Sequence, residues 1–296
     1  MGPGFYNIVT RPEVSCMKPS RSIIPILLNS LISFLLLVIF AHIAYAEPSD
    51  DKHEYIFAVV PQSTPEIMHR NWTPVIEQVA RISGLSLKLK VYENMNDFEL
   101  DLKRGIVHFA YLNPAQAVMA WNEHNYIPLV RSKNPVTGTL YVRTDSAIKD
   151  FKEIKGKEIA FVGPKNICGI SLNHELKALN INKRYVGTSS NVYKHVLVGE
   201  VVAGGTLDIA LESEKPEVTQ ALRPIYKTRP ISSHPISAHP AVPAKARQKM
   251  VEAVLKLAAD LEGRVLLKKI RFQEPVVADY DRDYKVLESM GINRFE

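Results

Sequence analysis

The chain has 296 residues, of which 46% are hydrophobic and 23% charged, with two cysteines and a formal net charge of +6. These values exclude collagen-like, disordered and disulfide-knit chains. The length leaves room for one large domain or two lobes, because single cores stop growing near about 250–300 residues. No five like charges run together, and the doublets Lys103-Arg104, Lys183-Arg184 and Lys268-Lys269 are scattered, so no nucleic-acid partner is expected.

The apolar content is concentrated at Ile23 to Ile43. Arg11, Lys18 and Arg21 precede this run, and Ala44-Tyr45-Ala46 follows it, ahead of the polar Glu47-Pro48-Ser49-Asp50-Asp51. A positive flank, an apolar stretch and a small-x-small site describe a secretory signal peptide over residues 1–46, with cleavage after Ala46. An uncleaved anchor is the alternative, since about 20 apolar residues span a bilayer; Pro25, Asn29 and Ser33 interrupt the run. Met17-Lys18-Pro19-Ser20-Arg21 would itself open a signal, so translation is a candidate to start at Met17 instead of Met1. Losing three bases and one acid (Glu13) with this segment lowers the charge from +6 to +4. Cys16 precedes the apolar run and goes with it, which leaves Cys168 without an internal disulfide partner. An exported, unlipidated protein of this kind is expected in a periplasm.

From Tyr55 the chain reads as α/β. Tyr55 to Val60 is a first strand. Trp72, Val75, Ile76, Val79 and Ile82 recur at helical spacing, with Thr73 as cap, Pro74 in the first turn and Gly84 as the stop. Leu87, Leu89 and Val91 alternate in a second strand; Asn96 is expected to cap a short helix that ends at Gly105. Val107 to Tyr111 is a third strand, followed by a helix over 114–123 and a strand over 127–130.

Lys133 to Gly138 is turn-rich and marks a crossover to a second lobe. Its expected elements are strands at 139–143, 159–162, 185–187, 207–211 and 225–227, a helix after Gly169 and another from Asn191 to Val202. Prolines 224, 230, 235, 240 and 243 punctuate a return segment. In the tail, Met250, Val254, Leu257 and Leu261 form one helical stripe and Leu266, Leu267 and Ile270 another. The domain reading is therefore 47–140 for the first part of lobe 1, 141–232 for an inserted lobe 2, and 233–296 for the return to lobe 1.

Catalytic patterns are missing: there is no phosphate loop, G-x-S-x-G or C-x-x-C, and no cofactor is called for. His174-Glu175 has Ala178 where a zinc-protease motif needs its second histidine. Ser146-Ala147-Ile148-Lys149 has none of its companion motifs. Cys168 would be a nucleophile only if a helix start lowered its pKa, and no histidine is assignable as its base. His234 and His239 are five apart, on opposite faces of a strand, which disfavours shared metal binding. Phe161 to Gly169 is more telling: a strand, a small-residue turn and a helix start, where free backbone N–H groups and Lys165 would attract an anion.

Taken in order, several segments resemble one family: Phe57-Ala58-Val59-Val60-Pro61, Trp72-Thr73-Pro74, Phe109-Ala110-Tyr111-Leu112-Asn113-Pro114-Ala115, Ile154 to Phe161, Gly199 to Gly205 and His234 to Pro240. With the export signal, they are similar to the substrate-binding proteins of phosphate/phosphite/phosphonate ABC importers, over about Tyr55 to Phe295. The resemblance implies an α/β, two-lobed type II periplasmic binding protein that closes on a ligand around a hinge. It implies a small anion as ligand, an inner-membrane ABC permease as partner, a monomer and no enzymatic activity; the alternative is a sensing or docking module of the same fold.

It also implies site positions, with departures. A Ser/Thr cluster that holds phosphonate oxygens falls at Asn166, Ile167, Cys168 and Gly169, and a histidine at the next helix start falls at Ser190. Aromatic positions fall at Met95 and Leu112, beside Tyr111; a carboxylate is replaced by His234, while Asp208 is kept. The expected roles are anion binding by Lys165, Asn166, Cys168, Gly169 and Ser190, cover by Tyr111 and Met95, and recognition of the far end by His234 and Asp208. Each lost hydroxyl removes a charge-assisted hydrogen bond of roughly 1.5–3 kcal/mol, so aminoalkylphosphonate binding in the nanomolar range is not expected.

Overall fold

The short apolar runs and amphipathic stretches after residue 53 assemble into two sheets, each with helices packed against it. The computed structural model describes residues 1, 2, 4, 53–292 and 295, and residues 50–296 form one compact unit. Residues 3 and 5–46 of the expected export signal lie outside the described residues. Among the described residues, no helix is long and apolar enough to cross a membrane.

The first sheet contains β1 (Glu54–Val59), β2 (Ser86–Lys90), β3 (Phe109–Tyr111), β4 (Ile127–Ser132), β10 (Pro235–Ala238) and β11 (Pro275–Val277), in the order β11-β4-β10-β3-β1-β2. β1 pairs in parallel with both β2 and β3, while β10 runs antiparallel to β3 and β4. The second sheet contains β5 (Gly138–Arg143), β6 (Glu158–Phe161), β7 (Asn182–Tyr185), β8 (Ala203–Leu207) and β9 (Leu222–Lys227), in the order β7-β6-β8-β5-β9. Here β6 is parallel to β7 and β8, and β5 is antiparallel to β8 and β9. The chain passes between the sheets twice, and the two crossings are tied by reciprocal backbone bonds between Val136 and Ile231 at 2.8 and 2.9 Å.

Helix α1 spans Pro65–Ser83, with Pro65 in its first turn and Gly84 at φ 68° as its stop. The expected start at Thr73-Pro74 is therefore corrected: Pro74 is inside the helix. A proline there cannot donate to the carbonyl four residues back, but the buried stripe of Met68, Trp72, Val75, Ile76 and Val79 carries the helix through it. Trp72 packs on both Phe57 and Tyr111, with ring centroids at 5.9 and 4.7 Å.

Helix α2 (Met95–Lys103) is capped by Asn94, whose side chain accepts from the Asp97 N–H, and not by Asn96. Helix α3 (Pro114–His124) carries a full capping box between Asn113 and Gln116. In the second lobe α4 (Ile167–Glu175) starts before Gly169, and α5 (Ser189–Leu197) is shorter than the expected 191–202.

The stretch 207–211 is not a strand. The strand is β8, and Asp208–Leu211 is a short helix, α6. Gly204 and Gly205 are buried strand residues where a larger side chain would not fit: a Cβ at Gly205 would lie 2.5 Å from the Phe161 ring, and one at Gly204 would strike Val192. After α7 (Pro216–Ala221), the tail comprises α8 (Ala244–Ala259) and α9 (Leu261–Lys269). Asp260 caps α9 through the Gly263 N–H and breaks the expected stripe, so Leu261 is 69% exposed. A last helix, α10 (Tyr280–Asp283), places Asp283 against Arg131 at 3.0 Å.

Candidate functional site

Five turns that follow parallel strands open into the same cleft between the sheets. Their cap residues Thr64, Asn94, Asn113, Asn166 and Thr188 line its adjoining compartments. They precede α1, α2, α3, α4 and α5 respectively. A helix start leaves several N–H groups without intrahelical partners and carries about half a positive charge. Convergence of such starts at the carboxyl ends of strands from two sheets makes a concave, anion-favouring site.

The central compartment, about 90 Å³, is lined by Val60, Gln62, Met95, Asn113, Asn166, Thr188, Ser189, His234 and Arg271, among others. A second, about 340 Å³, lies between the starts of α1 and α5 and adds Ser63, Thr64, Ser190, Glu214 and Lys269. A third, about 280 Å³, faces the crossings and contains Tyr111, Asp208, Glu212 and Lys268. The fourth, about 460 Å³, faces the start of α2 and contains Glu99 and Lys165.

His234 is buried at the end of β10, stacked on Tyr111 with centroids 5.4 Å apart, and its Nε2 lies 3.0 Å from Gln62 Nε2. Burial first, and the nearby Arg271 charge second, push its pKa down to about 3, so it is neutral at physiological pH. His239, at the other end of β10, instead meets Tyr126 edge-on at 5.1 Å, so the two histidines do not share a ligand.

The expected site residues separate into those that line the cleft and those that do not. Met95 lines it, its Sδ accepting from Gln116 Nε2 at 2.8 Å. Tyr111 is buried behind His234 and reaches the compartment at the crossings. Asn166 lines the central compartment while its side chain accepts from the Cys168 N–H.

Five of the expected residues, Lys165, Cys168, Gly169, Ser190 and Asp208, have other engagements in the fold. Lys165 faces the cleft, but its Nζ donates to Glu99 Oε2 of the opposite lobe at 2.9 Å; Glu99, only 6% exposed, neutralises it. The Cys168 thiol points into the lobe beside Gly138, and Gly169 packs on Phe161, so neither lines the cleft. Burial also pushes the Cys168 pKa well up, the reverse of an activated thiolate. Ser190 lines the cleft, yet its hydroxyl donates to Glu214 at 2.6 Å. Asp208 accepts from the Thr137 N–H and, at 2.6 Å, from the Thr137 hydroxyl, so it braces the crossing.

Gln62, Ser63, Thr64, Thr188, Ser189 and Arg271 line the cleft and were not expected there. The hydroxyl residues carried a usable signal: Ser63-Thr64-Pro65 and Thr188-Ser189-Ser190 are both N-cap patterns directly after a strand. Arg271 carried none, because its position depends on how the last third of the chain returns to the first sheet.

The sequence matches, over residues 57–284, the family model described as the periplasmic substrate-binding protein of phosphonate ABC transporters. No curated protein matches it in sequence. Among solved structures, the chain is similar to a binding protein component of an ABC phosphonate transporter from Pseudomonas aeruginosa, with a TM-score of 0.71 and 14% identity over 81% of this chain and 86% of that one. It is also similar to PhnD1 from Prochlorococcus marinus in complex with methylphosphonate, with a TM-score of 0.72 and 12% identity over 80% and 97%. A protein from Xanthomonas citri bound to ATP gives a TM-score of 0.66 and 15% identity over 80% and 96%. At these identities the likeness is one of fold: two α/β lobes of the type II periplasmic binding protein kind.

Proposed function

This chain belongs to the family of periplasmic substrate-binding proteins of phosphonate ABC transporters, and on that premise we propose that its interlobe cleft captures a small anion and delivers it to an inner-membrane permease. The observation that carries the reading is the convergence of five helix starts on one cleft. Backbone N–H groups at the start of α5, with the exposed Thr188 and the partly exposed Ser189, supply donors that an oxyanion needs. His234 and Met95 form the floor and side of the central compartment, and Tyr111, stacked on His234, lines the compartment at the crossings. Asn166 lines the central compartment at the α4 start, and Ser190 lines the neighbouring one at the α5 start.

The crossings at Val136 and Ile231 act as the hinge between the two lobes; since β5 begins at Gly138 in the second sheet, the lobe boundary is proposed at this crossing and not at the expected 140/141. The protein works as a monomer in the periplasm, exported by the signal that ends at Ala46. Thermal unfolding with phosphate, phosphite, methylphosphonate and aminoethylphosphonate tests the reading. Ligand at 100 times Kd stabilises by about 2.7 kcal/mol. An unchanged midpoint with every anion overturns it.

A further inference from the structure

Arg271 lies one residue beyond Ile270, the C-cap of α9. Its N–H bonds back to the Lys268 carbonyl at 3.0 Å, and its φ is +57°. This left-handed position is the one where helices usually place glycine or asparagine, because any larger side chain is disfavoured there. Phe272, fully buried, anchors the next residue. The side chain that occupies this unfavourable position lines three of the four cleft compartments.

Its Nε donates to Ser213 Oγ of the second lobe at 2.8 Å. Among the described residues no carboxylate lies within ion-pair distance of the guanidinium. Lys165, by contrast, already has Glu99, and His234 is neutral.

The geometry points to Arg271 as the counter-charge of the ligand: its two Nη groups grip a compact oxyanion in the central compartment while its Nε ties the lobes together through Ser213. A planar guanidinium whose Nε is engaged still offers four N–H donors at its far end, which match two oxygens of one phosphonate-, phosphite- or phosphate-like head. The lobe that carries the charge and the lobe that carries the α5 start are thereby drawn onto the same ligand. This inference rests on the anion-capture reading and adds the residue that decides its charge preference.

Calorimetric titration of the full chain with methylphosphonate, phosphite and phosphate tests it on four forms: wild type, Arg271→Gln, Arg271→Lys and Ser213→Ala. Removing a charged hydrogen-bonding partner costs roughly 10- to 150-fold in affinity. We expect that loss in Arg271→Gln, partial recovery in Arg271→Lys and a loss of under about fivefold in Ser213→Ala. Arg271→Asn, which tolerates the left-handed backbone, provides the same reading should the glutamine variant fold poorly. Wild-type affinity in a folded Gln or Asn variant overturns the assignment of Arg271. No binding to wild type overturns the capture reading itself, and the Arg271 role falls with it.

Discussion

The second lobe presents two turns to the cleft that look alike in sequence and behave differently in the fold. Gly163-Pro164-Lys165-Asn166 leads into α4, and Gly187-Thr188-Ser189-Ser190 opens α5; each helix has nine residues and a side-chain cap. The first turn holds the only lysine of the pair and leads into the only thiol, Cys168, so it reads as the anion site. In the fold its lysine is neutralised by Glu99 and its thiol is buried. The second turn keeps its helix start open to the cleft and shares two compartments with Arg271. A strand–turn–helix unit offers donors in general, and the residue facing it across the cleft decides whether an anion gains from them.

The largest expected effect would separate structure from binding at the first turn. Lys165→Met leaves the buried Glu99 carboxylate without its partner and should lower stability by about 3 kcal/mol. Anion affinity should change less than about threefold, a lost charge partner being worth more than that only when it touches the ligand. Adding Glu99→Gln should return most of the stability. Denaturant unfolding and calorimetry of the single and double variants check this, and a large loss of affinity with unchanged stability would put Lys165 back on the ligand.

The second turn is expected to respond the other way. Ser189→Asp places a negative charge where the anion is proposed to sit, and should weaken binding by about 100-fold, the cost of setting like charges together in a desolvated site. The helix itself should not suffer, because an acid in the first turn favours the helix dipole. Pro164→Asp, at the first turn, should cost less than about threefold by the same electrostatics screened by solvent. Equal losses at the two turns would remove the distinction between them.

A pH series sharpens the role of the floor between the turns. His234 titrates near pH 3 in the fold, against an ordinary value of about 6.5 in the unfolded chain. The unfolded chain therefore binds a proton first as pH falls. The His234 contribution is fully present above about pH 6.5 and is lost at about 1.4 kcal/mol per pH unit down to the folded pKa. His108 and His239 are also lowered, chiefly by burial, so the His234 share is read as the difference between wild type and His234→Gln. Parallel stability curves for the two proteins would show that His234 is not held neutral.

The smallest effect is expected at Cys168. Cys168→Ala opens a small cavity worth about 1 kcal/mol in the second lobe, and anion affinity should stay within about twofold, the ordinary scatter for a residue that does not touch ligand. The native thiol should resist a soluble thiol reagent until the protein unfolds. Fast labelling of the folded protein would contradict its burial.

Much of this molecule was written in local chemistry. Alternating and helical spacing marked most of the strands and helices, and Asn113-Pro114 with Gln116 specified the α3 start without help from the rest of the chain. Where local reading failed, a tertiary contact had overruled it. Pro74 resembles a helix start but lies inside α1, because the buried stripe from Met68 to Val79 outweighs one missing hydrogen bond. The strand expected over 207–211 lies instead at Ala203–Leu207, where Gly204 and Gly205 fit because Phe161 and Val192 leave no room for a side chain.

The composition, the family pattern and the supply of helix caps after parallel strands were properties of the sequence alone, since each depends on residues a few positions apart. Which cap meets a ligand, which cation is already neutralised and which distant side chain completes the cleft were decided only by tertiary structure. Lys165 meets Glu99 across 66 positions and Gln62 meets His234 across 172. Arg271 reaches Ser213 across 58 positions. Coulomb and hydrogen-bond energies depend on distances in space, and no periodicity along the chain encodes distances between segments that meet only after both sheets have formed.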